Sequence, residues 1–146
     1  MKNQILIAIS FLCLAGCSAG KNDENEALQK EVIAVHDEVM PMMGSFVRNE
    51  MLIDSLLKNM PALKTTDPSL DTAAHKARLS SLKVKLESAT DAMNKWMQDL
   101  ELDFEGMSDQ EVKAYLEEEK RKVEQINQQF KETDTESKEV LTPYQP

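Results

Sequence analysis

The sequence predicts an all-α fold: an antiparallel three-helix bundle with coiled-coil-like packing, its first helix kinked at Pro41. Three observations support this. Apolar side chains recur at alternating steps of four and three along three long segments, the rhythm of helices packed through a heptad seam. Capping residues open the second and third segments, and the connections are short enough to force neighbouring helices antiparallel.

In the first segment the repeat runs Leu28, Val32, Val35, Val39, Met42, Phe46, Asn49, Ile53, Leu56 and Met60, and nine of these ten are apolar. Pro41 interrupts it. Proline has no N–H for the Asp37 carbonyl and clashes with that turn, and Gly44 follows shortly after. A kink, or two helices in place of one, is expected there. Asp67 and Pro68 then supply a capping acid and a proline for the first turn of the second segment. That segment places His75, Leu79, Leu82, Leu86, Ala89, Met93, Trp96 and Leu100 on one face.

Ser108 and Glu111 have the spacing of a capping box and open the third segment. Its seam reads Val112, Leu116, Glu119, Val123, Ile126, Phe130, Thr133, Ser137 and Val140. The polar Thr133 and Ser137 predict poorly buried last turns. The links around Pro61 to Asp67, and around Phe104, Gly106 and Met107, are short, so an up-down-up bundle follows. The same repeat also supports an elongated coiled coil that completes its core by self-association.

The chain begins with a different pattern. Met1 and Lys2 give a short basic start, Ile5 to Leu14 is nearly all apolar, and small residues follow, the layout of a secretory signal. A spanning helix needs about 20 apolar residues, so this run directs export and does not stay in a membrane. Leu14-Ala15-Gly16-Cys17 resembles the lipobox of bacterial lipoproteins, whose cysteine is acylated and becomes the first residue of the mature chain. The resemblance implies that residues 1–16 are a cleaved signal peptide and that Cys17 carries covalent lipid. Its partner is then the bilayer, and its place the cell envelope, anchored at the outer membrane on the periplasmic or surface face. Two or more acyl chains attach a protein stably where one does so marginally, at about 0.8 kcal/mol per buried methylene.

Residues 17–26 read as the lipidated cysteine and a flexible tether, 27–141 as the bundle and 142–146 as a short C-terminal tail. Ser18 to Glu26 is small, polar and charged, with nothing to bury. Lys21 followed by acidic residues is similar to the surface-export signal of Bacteroidota lipoproteins. Cys13 leaves with the signal and Cys17 is consumed by lipid, so packing alone must hold the mature chain.

Charge excludes one class of partner. Of 17 Lys and Arg only Lys2 lies in residues 1–16, and none of the 26 Asp and Glu does, leaving 16 basic against 26 acidic groups, a formal −10. Such a surface repels phosphate backbones, so no nucleic-acid partner is expected.

Three stretches carry a family resemblance: His36-Asp37-Glu38-Val39-Met40-Pro41-Met42-Met43-Gly44, Ala92-Met93-Asn94-Lys95-Trp96-Met97, and Met107 to Glu119. Together they are similar to a family of small Bacteroidota lipoproteins whose members often bear the label "viral A-type inclusion protein". The resemblance covers most of the chain after the signal. It implies a helical domain in the envelope and assigns no activity, ligand or catalytic residue.

No Gly-rich phosphate loop, His-Glu-x-x-His, Cys pair or Gly-x-Ser-x-Gly occurs, so no enzyme is expected. Glu117 with Arg121 and Glu118 with Lys122 have the spacing of ordinary surface pairs. One constellation rises above this background. His36, Met40 and Met43 share a stripe of the first helix, and Met93 and Met97 a face of the second beside Trp96. Counting turns from the connections at about 1.5 Å per residue brings His36, Met40, Met93, Met97, Tyr115 and Glu119 to one level near the kink.

Methionine commonly fills irregular cores, and the gap beside a proline is where such filling is useful. Glu119 would then accept a hydrogen bond from Tyr115, His36 or the backbone. Alternatively, the thioethers and the imidazole bind cuprous copper, with Trp96 shielding the ion or contacting it through its ring. His75 reads as a partly exposed edge residue. The expected function is therefore a membrane-anchored helical binding or structural module that contacts an envelope protein or itself. The alternative is a periplasmic or surface ligand or metal carrier using His36, Met40, Met93 and Met97.

Overall fold

The computed structural model describes residues 19–145. The signal peptide and Cys17 lie outside the described residues. Four α-helices follow in order: α1 Ala19–Lys58, α2 Met60–Thr66, α3 Thr72–Asp99 and α4 Asp109–Leu141, with a 3-10 turn at Thr142–Tyr144. The long helices α1, α3 and α4 form the bundle, and α1 packs most extensively on α4.

Cross-helix pairs fix the directions. Glu24 meets Lys113, Glu31 meets Lys120 and Glu38 meets Lys131, so α1 and α4 run parallel. Asp54 meets Lys83 while His36 meets Met97, so α3 runs against α1. The up-down-up arrangement is the one expected.

Within α1 the wholly buried side chains Val32, Val39, Phe46 and Ile53 follow one another at intervals of seven, and Met60 at the start of α2 continues the series. Leu28, Val35 and Met42 are half-buried beside them. α3 contributes Leu79, Leu82, Leu86, Ala89, Met93 and Trp96. At the centre, Phe46 and Phe130 stack with ring centroids 4.7 Å apart and planes 10° from parallel. Offset stacking of this kind adds to the burial of both rings.

Pro41 does not divide the first helix. α1 is continuous through it, and both Pro41 and Asp37 are exposed, so the lost helical hydrogen bond falls on the solvent side of the helix. The flexible tether expected up to residue 26 is also corrected: residues 19–26 belong to α1. Asn25 Nδ2 donates to the Asp109 carbonyl at 3.0 Å and Glu24 pairs with Lys113, so the first turns of α4 give this polar segment a surface to lie on.

The link after α1 is partly helical. Met60–Thr66 makes two turns with Pro61 in the first, and Lys64 Nζ donates to the carbonyls of Pro68 and Leu70 at 2.7 and 2.8 Å. Asp67 closes a turn onto Ser69 and does not cap α3. The cap is Asp71, which accepts from the amides of Ala73 and Ala74 at 3.1 and 3.0 Å. The cap of α4 is as expected: Ser108 N donates to Glu111 Oε2 at 2.8 Å, and Glu111 N to Ser108 Oγ at 3.4 Å. Gly106 has φ of +84° as third residue of the Phe104–Met107 turn, a position that favours glycine.

The last turns of α4 are not poorly buried. Thr133 and Ser137 are 4% and 1% exposed. Ser137 Oγ accepts from Asn49 Nδ2 at 2.7 Å, which allows two polar side chains to occupy the seam together. The tail turns back over the bundle, where Tyr144 Oη lies 3.1 Å from His75 Nε2.

Candidate functional site

The last turn of α3 places its side chains toward both neighbours at once. Met97 faces α1, where its Sδ lies 3.2 Å from His36 Nε2. The other ring nitrogen of His36, Nδ1, is 2.9 Å from Asp37 Oδ1. Trp96 stands beside this contact, its ring centroid 5.9 Å from that of His36 and the planes 34° apart. Its Nε1 donates to Glu119 Oε2 on α4 at 2.9 Å. Lys122 Nζ donates to the other carboxylate oxygen at 2.7 Å, and this bond holds the ammonium above the usual lysine range. His36, Met97, Trp96 and Glu119 thus form a line of contacts from α1 through α3 to α4.

Four of the expected residues therefore meet, and three do not join that line. Tyr115, in the second turn of α4, reaches the α3–α4 loop: its hydroxyl accepts from the Glu101 amide at 2.7 Å and its ring meets Phe104 edge-on. Glu119 takes its hydrogen bonds from Trp96 and Lys122 in place of Tyr115 or His36. Met93 is wholly buried in the core, and Met40 is 37% exposed on the outside of α1. The basic side chains of α4 also pair differently from expectation, Arg121 with Glu118 and Lys122 with Glu119, each one residue closer.

Among the described residues no cluster of three or more His, Cys, Asp or Glu side chains is placed to hold a metal ion. A second feature lies between α3 and α4, an open cleft of about 450 Å³ lined by Ala92, Lys95, Trp96, Glu119, Lys122 and Ile126. The Trp96–Glu119 bond forms one wall. Ile126 is only half-buried there, and the neighbouring Asn127 takes the buried position expected for it.

Between α1 and α4 the structure holds a polar seam that the apolar repeat does not reveal. Asn127 Nδ2 donates to Glu38 Oε2 at 2.9 Å, and Asn127 Oδ1 is buried without a partner. Hydrogen bonds from Lys131 and then Asn127 hold Glu38 below the usual carboxylate range. A signal for this seam is present in the sequence: Glu24, Glu31 and Glu38 repeat at seven residues, as do Lys113, Lys120 and Asn127. No family model, curated protein or solved structure matches the chain.

Proposed function

We propose that this protein is a lipid-anchored helical module of the bacterial cell envelope, held at the outer membrane through acylated Cys17, that binds an envelope protein or a second copy of itself. The observation that carries the reading is Leu14-Ala15-Gly16-Cys17 placed directly after a short apolar run with a basic start. Among the described residues no helix is long and apolar enough to cross a membrane. The likeness to small Bacteroidota lipoproteins agrees with that placement.

A binding role draws support from α1. Met40, Val47 and Met51 are 37%, 49% and 68% exposed, and their spacing of seven and four puts them on one outer stripe. Amphipathic helices use such stripes to engage partner helices. The experiment is labelled palmitate incorporation in cells, compared between the natural chain and Cys17→Ser. Label in the natural chain and none in the variant is expected, since the acylation chemistry needs that thiol. Equal labelling of both overturns the anchor.

A further inference from the structure

We propose that His36, Met97 and Met40 form a binding site for cuprous copper at the edge between α1 and α3, with the Trp96 ring as its wall. The inference is independent of the anchor and rests on the His36–Met97 contact. An ionised carboxylate only accepts hydrogen bonds, so the 2.9 Å contact with Asp37 places the imidazole proton on Nδ1. With its one proton on Nδ1, the ring turns the Nε2 lone pair toward a thioether sulfur 3.2 Å away, which also presents lone pairs. Two donors facing one another have no attraction of their own. A cation shared between them supplies it.

The geometry suits a metal. Bonds of about 2.0 Å to imidazole nitrogen and about 2.3 Å to sulfur, the zinc values, span a 3.2 Å edge at roughly a right angle. That angle leaves room for a third donor. Met40 is one helical turn from His36 and 37% exposed, so its thioether is accessible as the third donor. Met93, four residues before Met97, is wholly buried and takes no part.

The remaining surroundings point the same way. A metal-binding histidine commonly gives its second nitrogen to a carboxylate, which fixes the tautomer and raises its basicity, and Asp37 is so placed. Thioether and imidazole together select Cu(I) over hard divalent cations, and no thiolate is among the donors. The Trp96 ring centroid lies 5.9 Å from that of the imidazole, so the indole stands beside the site as its wall. The His36 side chain is 21% exposed, so the site lies at the surface of the bundle and not in its core.

The test uses the full chain in detergent carrying Cys13→Ser and Cys17→Ser, which removes both thiols that would compete for the metal. Cu(I) is added anaerobically in competition with a coloured chelator, while the fluorescence of Trp96, the only tryptophan, is followed. One equivalent should bind and quench Trp96. Losing an outer-shell partner typically weakens metal binding about 10–100-fold, so Asp37→Asn should fall in that range, and His36→Gln, Met97→Leu and Met40→Leu at or beyond its upper end.

Methionine-to-leucine exchange conserves volume, so those two variants keep the fold, and circular dichroism verifies it. His75→Gln, near Tyr144 at the far end of the bundle, should bind as the parent does. No stoichiometric binding by the parent overturns the proposal, and makes the His36–Met97 contact one in which a protonated imidazole donates to sulfur. Binding that survives Met97→Leu or Met40→Leu, or that His75→Gln loses equally, overturns the three-donor site.

Discussion

Helices α3 and α4 flank the same core, yet they bury different chemistry. Every side chain buried from α3 is apolar: Leu79, Leu82, Leu86, Ala89, Met93 and Trp96. From α4 the buried set includes Glu119, Asn127, Thr133 and Ser137. Apolar burial is non-directional and nearly indifferent to a slip of one heptad, whereas a hydrogen bond joins one donor to one acceptor. Trp96 to Glu119, Asn49 to Ser137 and Asn127 to Glu38 each tie α4 to a single level of its neighbours. α3 contributes mainly stability, and α4 adds register.

The largest effect that tests this division comes from the apolar side. Leu86→Ala removes a wholly buried side chain and should cost about 2–5 kcal/mol, read as a lower urea midpoint. Ile126→Ala on α4 should cost clearly less, because Ile126 is half-buried at the cleft. Equal losses would mean that the two faces are not as different as their burial.

Next in size is the buried carboxylate. Glu119→Ala leaves Trp96 Nε1 without an acceptor and should cost about 1–3 kcal/mol, the usual penalty for an unpaired buried donor. Glu119→Gln keeps an acceptor and should cost less. Matching losses for the two variants would show that the Trp96 bond contributes nothing. Smaller again, Ser137→Ala strands Asn49 Nδ2 and should cost about 0.5–1.5 kcal/mol. A double-mutant cycle with Asn49→Ala measures the coupling, and a coupling near zero would deny Ser137 its role in register.

The same division explains which parts were legible in sequence. α3 was readable residue by residue, because an apolar face obeys a single periodicity and Leu79 to Trp96 keep it. α4 was readable up to Val123. Beyond that, choosing Ile126 for the core followed apolarity, while the structure buries Asn127 against Glu38, a preference visible only when both helices are considered together. Thr133 and Ser137 were misjudged for the same reason: their polarity is tolerable once Asn49 lies opposite. The continuous course of α1 through Pro41 depends on the proline facing solvent, which the repeat around Val39 and Phe46 implies. Of the candidate site, bringing His36, Met97 and Glu119 together followed from counting turns, and Trp96 was expected beside Met97. Tyr115 was misplaced because its hydroxyl answers to the Glu101 amide in a loop that has no period to count.

The smallest expected effect separates two carboxylates whose surroundings act in opposite directions. At the start of α4 the Ser108 side chain, and then its amide, hydrogen-bond to Glu111 and lower its pKa below the ordinary 4.5. A carboxyl with a lowered folded value contributes stability that is fully present above the unfolded value and is lost as pH falls through the folded one. At the α1–α3 edge, burial first and the charge of Glu87 second raise Glu50 above 4.5. There the sign reverses: the ionised group destabilises the fold above its raised value, and the cost disappears as pH falls from that value to 4.5. Glu111→Gln should therefore lower the urea midpoint at neutral pH, with the deficit shrinking below pH 4.5. Glu50→Gln should raise the midpoint at neutral pH, and its advantage should fade before 4.5 is reached from above. Urea unfolding of both variants and the parent from pH 7 to pH 3 reads the two curves together. Curves that run parallel to the parent throughout would show that neither carboxylate feels its surroundings, and that the cap of α4 and the edge of α3 do not differ electrostatically.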